Sequence, residues 1–171
     1  MLTNRQPQAP LSDPKLAGKM KSAIESRYGY ERLMNWEPDI PIECRIVHFV
    51  CASTGYAYCE GYAAYLCMAC PHWELPFCFR EIGLIDLALL VERMLSPIPK
   101  QGVLGNTEAL KRHYGGWDNL ASWVSPFESK IFEADDRIYC ALAGYCRAQA
   151  DSLVRLGPEI ETLLTGRNVQ P

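Results

Sequence analysis

The hexapeptide Cys67-Met68-Ala69-Cys70-Pro71-His72 is the densest run of chemically versatile side chains in this sequence. Two thiols at C-x-x-C spacing with an imidazole close behind could open a zinc site, with Cys44, Cys51 or Cys78 completing the ligands. Structural zinc sites bring their ligands in two compact clusters, and the chain has no second C-x-x-C and no H-x-x-x-H. Pro71 interrupts what would otherwise be a C-x-x-C-H haem-attachment motif. A redox C-x-x-C opens a helix, where the dipole lowers the thiol pKa, whereas this pair falls near an expected helix end. Core cysteines are the expected reading. Cys67, Cys70 and His72 stand as the metal or redox candidates, and no cofactor is expected.

Nucleophilic catalysis needs a Cys or Ser beside a positioned base. The three histidines are His48, His72 and His113. His48 falls on an apolar helical face, and His113 in Lys111-Arg112-His113-Tyr114 suits a solvated helix end, where positive charge complements the dipole. No G-x-S-x-G elbow is present, and Gly115-Gly116 lacks the spacing of a phosphate cradle. No catalytic constellation emerges, so the chain is expected not to be an enzyme.

The last third carries Glu128, Glu133, Asp135, Asp136, Asp151, Glu159 and Glu161 against five basic residues, a balance that fits a solvated helix face. Glu133, Asp135 and Asp136 are the candidate partner-facing acids. Trp117 and Trp123 are candidate aromatic anchors, since Trp is favoured at interface hot spots, or alternatively caps over the core.

These residues must be positioned by helices. Ser12-Asp13-Pro14 reads as a helix start, with a polar cap before a proline at the first helical position, and the helix should run to about Arg27. Cys44, Val47, His48 and Cys51 share one helical face. Gly55 is expected to break that helix. Tyr58, Tyr62, Tyr65 and Ala69 continue at helical spacing until Pro71, so the two segments should form a central helical hairpin. Gly61, inside the second segment, would permit close helix–helix approach.

Leu84, Leu87, Ala88, Val91 and Leu95 form the cleanest amphipathic stripe, widened by Leu90 and Met94, and mark residues 79–95 as a central core helix. A short helix is expected over 107–113. Ser125-Pro126-Phe127-Glu128 reads as a capping box, opening a long C-terminal helix that ends at Gly157-Pro158 and reaches roughly 45 Å. No strand-like alternation competes. The expectation is an all-α, single-domain helical bundle over 13–165, with tails at 1–12 and 166–171.

The bulk numbers agree. A chain of 171 residues, 49% hydrophobic, fits one globular domain. With net charge −3 and pI about 5.6 it lacks the basic balance of a nucleic-acid binder or a polybasic membrane helix. The apolar stretch 82–95 is broken by Asp86, Glu92 and Arg93 and is too short to cross a bilayer. No export signal is recognisable, so the cytoplasm is the expected location and most of the eight cysteines are expected to be free thiols filling core gaps.

Glu60-Gly61-Tyr62-Ala63-Ala64-Tyr65-Leu66, with Glu81-Ile82-Gly83-Leu84 and the apolar run ending at Ile98, resembles a bacterial family of domains of unknown function. That family includes a DNA-mimic protein of the nineteen-kilodalton type. The resemblance spans about residues 40–155, and its motif residues here are Glu60, Gly61, Tyr62, Tyr65 and Gly83. Glu133-Ala134-Asp135-Asp136-Arg137-Ile138-Tyr139 is comparable to a late acidic and aromatic helix of the family. The resemblance implies an all-α fold, a homodimer as one assembly, no known catalytic residues, and a surface of carboxylates that captures a protein. Duplex DNA carries one charge per ~1.7 Å of axis, a density that a chain with 20 acidic and 17 basic residues reaches only in a local patch.

The function expected on these grounds is a non-enzymatic cytoplasmic protein-interaction domain that touches neither nucleic acid nor membrane. Two alternatives stand beside it. One is an immunity or regulatory partner of a toxin-type or defence protein; the other is a metal or redox protein using Cys67, Cys70 and His72.

Overall fold

The structure, a computed structural model, describes residues 13–99 and 101–165. The expected tails at 1–12 and 166–171, and Ser12 of the expected first cap, lie outside the described residues. Eleven α-helices and two short 3-10 turns make up the described chain, and no strand occurs among those residues. The all-α single-domain expectation is met: one contiguous apolar core runs from Leu16 to Ile160. No helix of the described residues is long and apolar enough to cross a membrane.

Helix α1 (Asp13–Tyr28) opens as expected, with Asp13 at its positive dipole end and Arg27 in its last turn. It turns through Gly29 into the single-turn α2 (Tyr30–Met34). Helix α3 (Ile42–Cys59) is the central element, touching α1, α2 and several helices later in the chain. Its only charged residues, Glu43 and Arg45, sit in the first turn; beyond them the segment is apolar or small nearly all round, the composition of a helix buried on most sides.

Two expectations change here. Helix α3 passes straight through Gly55, where an added Cβ would meet nothing within 4 Å, so no break and no hairpin occurs there. The break falls at Glu60-Gly61, and Gly61 is not inside a helix but the N-cap of the short α4 (Tyr62–Leu66), at φ 83°. A 3-10 turn at His72–Glu74 then leads into α5 (Leu75–Glu81) and α6 (Ile85–Leu95).

The amphipathic stripe is borne out, since Leu84, Leu87, Ala88, Val91, Met94 and Leu95 are all buried. The expected single helix over 79–95 is two, however, because α5 ends in a Schellman turn. The Leu84 N–H donates to the Phe79 carbonyl at 2.8 Å and the Gly83 N–H to that of Arg80 at 2.9 Å, with Gly83 at φ 83°. α6 also leaves Ile85 and Leu89 exposed on its far side, so α3 is the more completely buried of the core helices.

Helix α7 (Thr107–Tyr114) lies where expected, with the Asn106 side chain accepting from the Ala109 N–H at 3.0 Å and Gly115 left-handed at its end. Before it, Gly105 sits at φ 75° with its N–H bonded to the Leu66 carbonyl. A Cβ there would lie 3.0 Å from the Met68 carbonyl oxygen and 3.2 Å from the Ala69 Cα. Both neighbours are backbone, and the left-handed region disfavours a side chain, so Gly105→Ala is expected to cost about 2 kcal/mol. Urea unfolding followed by circular dichroism measures it, and a loss below a few tenths would refute the close approach.

The long C-terminal helix is not formed as expected. Helix α8 (Trp117–Glu133) runs through Pro126, so Ser125-Pro126-Phe127-Glu128 is no helix start. Pro126 is exposed, and the buried Leu120, Val124 and Ile131 hold the helix on both sides of it. Ala134 interrupts the chain before α9 (Asp135–Ala148), which packs against α1. Gln149 ends α9, and α10 (Ala150–Leu153), a 3-10 turn and α11 (Pro158–Thr165) complete the fold.

Candidate functional site

Cys70 and His72 do meet, with Sγ and Nε2 3.4 Å apart. The imidazole is already committed, because Nε2 lies 2.9 Å from the Tyr65 carbonyl oxygen and so carries the proton. The buried Tyr65 ring meets His72 edge to face at 5.0 Å, while Cys70 stays partly exposed. Burial lifts the Cys70 thiol to about 12 and pushes His72 below the usual histidine range. Cys67 is the C-cap residue of α4 and is only partly buried. The Cys70 thiol is protonated and the His72 ring neutral, which disfavours a thiolate nucleophile. Among the described residues no group of three or more His, Cys, Asp or Glu stands together as a metal site.

All eight cysteines are free. Cys44, Cys51, Cys78 and Cys146 are buried as expected, whereas Cys59 and Cys140 are exposed. Burial raises the thiols of Cys44, Cys51 and Cys146 to about 12, so none of the three is a thiolate at neutral pH.

The Glu60-Gly61-Tyr62 segment is a junction between two helices. Glu60 is exposed at the end of α3, while Tyr62 and Tyr65 are fully buried with rings 5.5 Å apart, edge to face. Tyr58, four residues before Tyr62, is 51% exposed and leans on Phe132 at 4.8 Å. The Tyr62 N–H donates to Glu128 Oε2 at 3.0 Å. Glu128 thus caps α4 from α8, and its carboxylate is the nearest group to the missing Cβ of Gly61, at 3.4 Å. A charge-assisted cap of this kind contributes about 1–2 kcal/mol. Glu128→Ala is expected to lose that amount, and Glu128→Gln, which keeps an acceptor, less; equal stability of all three proteins by thermal melting would refute the cap.

The partner-facing candidates scatter. Trp117, in the first turn of α8, is 39% exposed. Trp123 is a cap over the core, donating its indole N–H to the Met94 carbonyl and stacking on Tyr114 at 6.2 Å. Glu133 is taken by Lys130 at 2.6 Å, beside a bidentate Arg137–Asp86 pair at 3.0 Å. These four charges ring a groove of about 280 Å³ over Leu87, Leu90 and Ala134, and they cancel. Asp135 and Asp136 lie in the first turn of α9, where they complement its dipole and hold the Tyr58 hydroxyl above its usual range after burial has done so. Glu133 is thus neutralised within the chain, while Asp135 and Asp136 serve the start of α9.

A second open groove, of about 310 Å³, lies on α3 itself. Cys51, Ala52, Gly55 and Cys59 form its floor, with Lys21, Tyr30, Tyr56 and Glu60 as walls. At its inner end His48 lies on the same helical face, one turn before Ala52, fully buried beneath the edge of the Tyr30 ring at 5.4 Å. His48 Nδ1 is 3.2 Å from Glu25 Oε1, which Lys21 also approaches at 2.7 Å. Burial lowers His48 to about 4 despite that carboxylate, so the ring is neutral and the Glu25 charge is balanced by Lys21.

Of these residues the sequence singles out Cys51, His48, Gly55 and Glu60, each for a reason other than a groove. The signal that marks the groove is the set of small residues at 51, 52, 55 and 59, which share one face of the helix. Compared with known proteins, the chain matches no family model, no curated protein and no solved structure.

Proposed function

We propose that this chain is a non-catalytic protein-interaction domain whose binding site is the groove on α3. The observation that carries the reading is an open cleft of about 310 Å³ floored by small side chains on the central helix, where a partner's side chain can seat without moving the core. Two further facts support it. Burial keeps the Cys51 and Cys70 thiols protonated and makes both buried imidazoles weaker bases, which disfavours a thiolate nucleophile beside a histidine. Much of the acidic surface is engaged by bases of the same chain, as in Asp86–Arg137 and Glu133–Lys130, so the DNA-mimic form of the idea lacks the dense free carboxylates it requires. A reducing, cytoplasmic setting is part of the proposal, supported by eight cysteines that are all free.

The test is capture by cross-linking at native expression level, comparing the unaltered chain with Gly55→Leu. Nothing lies within 4 Å of the Gly55 Cβ position, so the variant fills the groove while gaining up to about 1 kcal/mol of helix propensity. A protein recovered by the first and lost by the second supports the reading. Identical recoveries, or none at all, sink it. A toxin-type enzyme as the recovered protein would make this chain an immunity partner.

A further inference from the structure

We infer that the groove on α3 takes a long cationic side chain, Lys or Arg, presented by the partner protein. This rests on the binding reading above and narrows it to a chemistry. The floor of Cys51, Ala52, Gly55 and Cys59 is apolar and lies along the helix axis, which suits a methylene stem that must shed water while its head stays polar.

The walls decide the sign of that head. Among the described residues Lys21 is the one cation lining the groove, and its charge is spent on Glu25 at 2.7 Å, within the Lys21–Glu25–His48 cluster. Glu60 is exposed, with no ion pair to any described residue. It stands at the C-terminal end of α3, an 18-residue helix whose dipole is negative there. The uncompensated charge of the groove is therefore negative, and a carboxylate ligand would meet Glu60 and the helix end together.

Tyr30 and Tyr56 supply the third feature. Both rings line the cleft with Glu60, and aromatic faces beside a carboxylate attract ammonium and guanidinium groups. The neutral groove over Leu87 and Leu90 has no such imbalance, because Lys130, Glu133, Asp86 and Arg137 are paired among themselves.

Short random peptides displayed on phage, selected on the intact chain and counter-selected on Gly55→Leu, test this directly. The enriched groove-dependent peptides should share a Lys or Arg. Replacing it by norleucine or citrulline, which keep the stem and remove the charge, should weaken binding about tenfold. Glu60→Gln should weaken the cationic peptide by a similar factor, leave the neutral analogue unchanged, and abolish the salt dependence that a charged contact brings. Groove-dependent peptides without a shared cation, or neutral analogues that bind equally well, overturn the inference while leaving the binding reading intact. Failure of the selection to enrich any groove-dependent peptide overturns both. Should Gly55→Leu fail to fold by circular dichroism, Cys59→Trp blocks the exposed end of the same floor and replaces it in each arm.

Discussion

Phe49→Ala is expected to lower the unfolding free energy by about 3–5 kcal/mol, the largest effect expected of a single truncation in this fold. Phe49 is fully buried near the middle of α3, the helix around which the other elements are packed. Its ring meets Trp36 edge to face at 5.2 Å, and Trp36 holds a left-handed backbone at φ 55°, which a non-glycine residue adopts only under tertiary constraint. Arg45 covers the other contact of Trp36, with its guanidinium 4.9 Å from the ring centroid. Truncating Phe49 thus opens a cavity and releases the support of a strained neighbour in one step. Small domains are stable by about 5–15 kcal/mol, so the variant should lose a large fraction of its stability and unfold at clearly lower urea. Urea titration followed by circular dichroism measures the loss, with Leu89→Ala, exposed on α6, as a control expected within about 0.5 kcal/mol of the parent. A loss below about 1 kcal/mol for Phe49→Ala would show that α3 is not the core helix.

The second large effect is acid sensitivity set by His48. Its folded pKa of about 4 lies below the ordinary histidine value of 6.5, with burial as the main cause. Above pH 6.5 the ring is neutral in both states and contributes no pH dependence. Between 6.5 and 4 the unfolded chain takes up a proton that the folded chain refuses, so stability falls as the pH falls. The integrated loss is roughly 2–3 kcal/mol. His72, also depressed by burial, acts in the same direction. Asp13, whose carboxyl Arg147 holds low, adds its own loss only at more acidic pH. Denaturation midpoints between pH 7.5 and 4 should decline for the parent, and His48→Gln should flatten much of that slope. An unchanged slope in the variant would mean that His48 accepts its proton within the fold. Because Glu25 and Tyr30 connect His48 to the groove, any ligand seated there should also bind less well as the fold loosens in acid.

Several elements are legible in the sequence for local reasons. Asn106 and Gly115 bracket α7 because a cap and a left-handed stop act within a few residues of the chain. The stripe of Leu87, Ala88, Val91 and Leu95 is buried because its spacing leaves a helix one apolar face to hide. The glycines of the Tyr-rich stretch are harder. Gly55 and Gly61 stand in similar surroundings of Tyr, Cys and Ala, and propensity separates a helical glycine from alanine by only about 1 kcal/mol. Packing of α3 against its neighbours outweighs that cost at Gly55, and the positive φ of Gly61 ends the helix instead.

The motif Ser125-Pro126-Phe127-Glu128 shows the same division. Its residue types fit a capping box, yet Glu128 gives its carboxylate to the Tyr62 N–H, 66 positions away in sequence. The cysteines of the hexapeptide read as structural material from their context alone, but the reason, an imidazole already bonded to the Tyr65 carbonyl, exists only in the folded chain. The groove on α3 is not legible as a site, since its walls come from α1, α2 and α3 and its sign depends on which carboxylate Lys21 reaches.

The sequence by itself determined the class of this protein: an all-α chain with its amphipathic faces, local caps and buried free thiols, each set by interactions within a turn or two. Only the tertiary structure decided where helices break, which polar groups are already engaged and which charge is left over. Those depend on long-range packing, whose energies exceed the local preferences that a sequence displays.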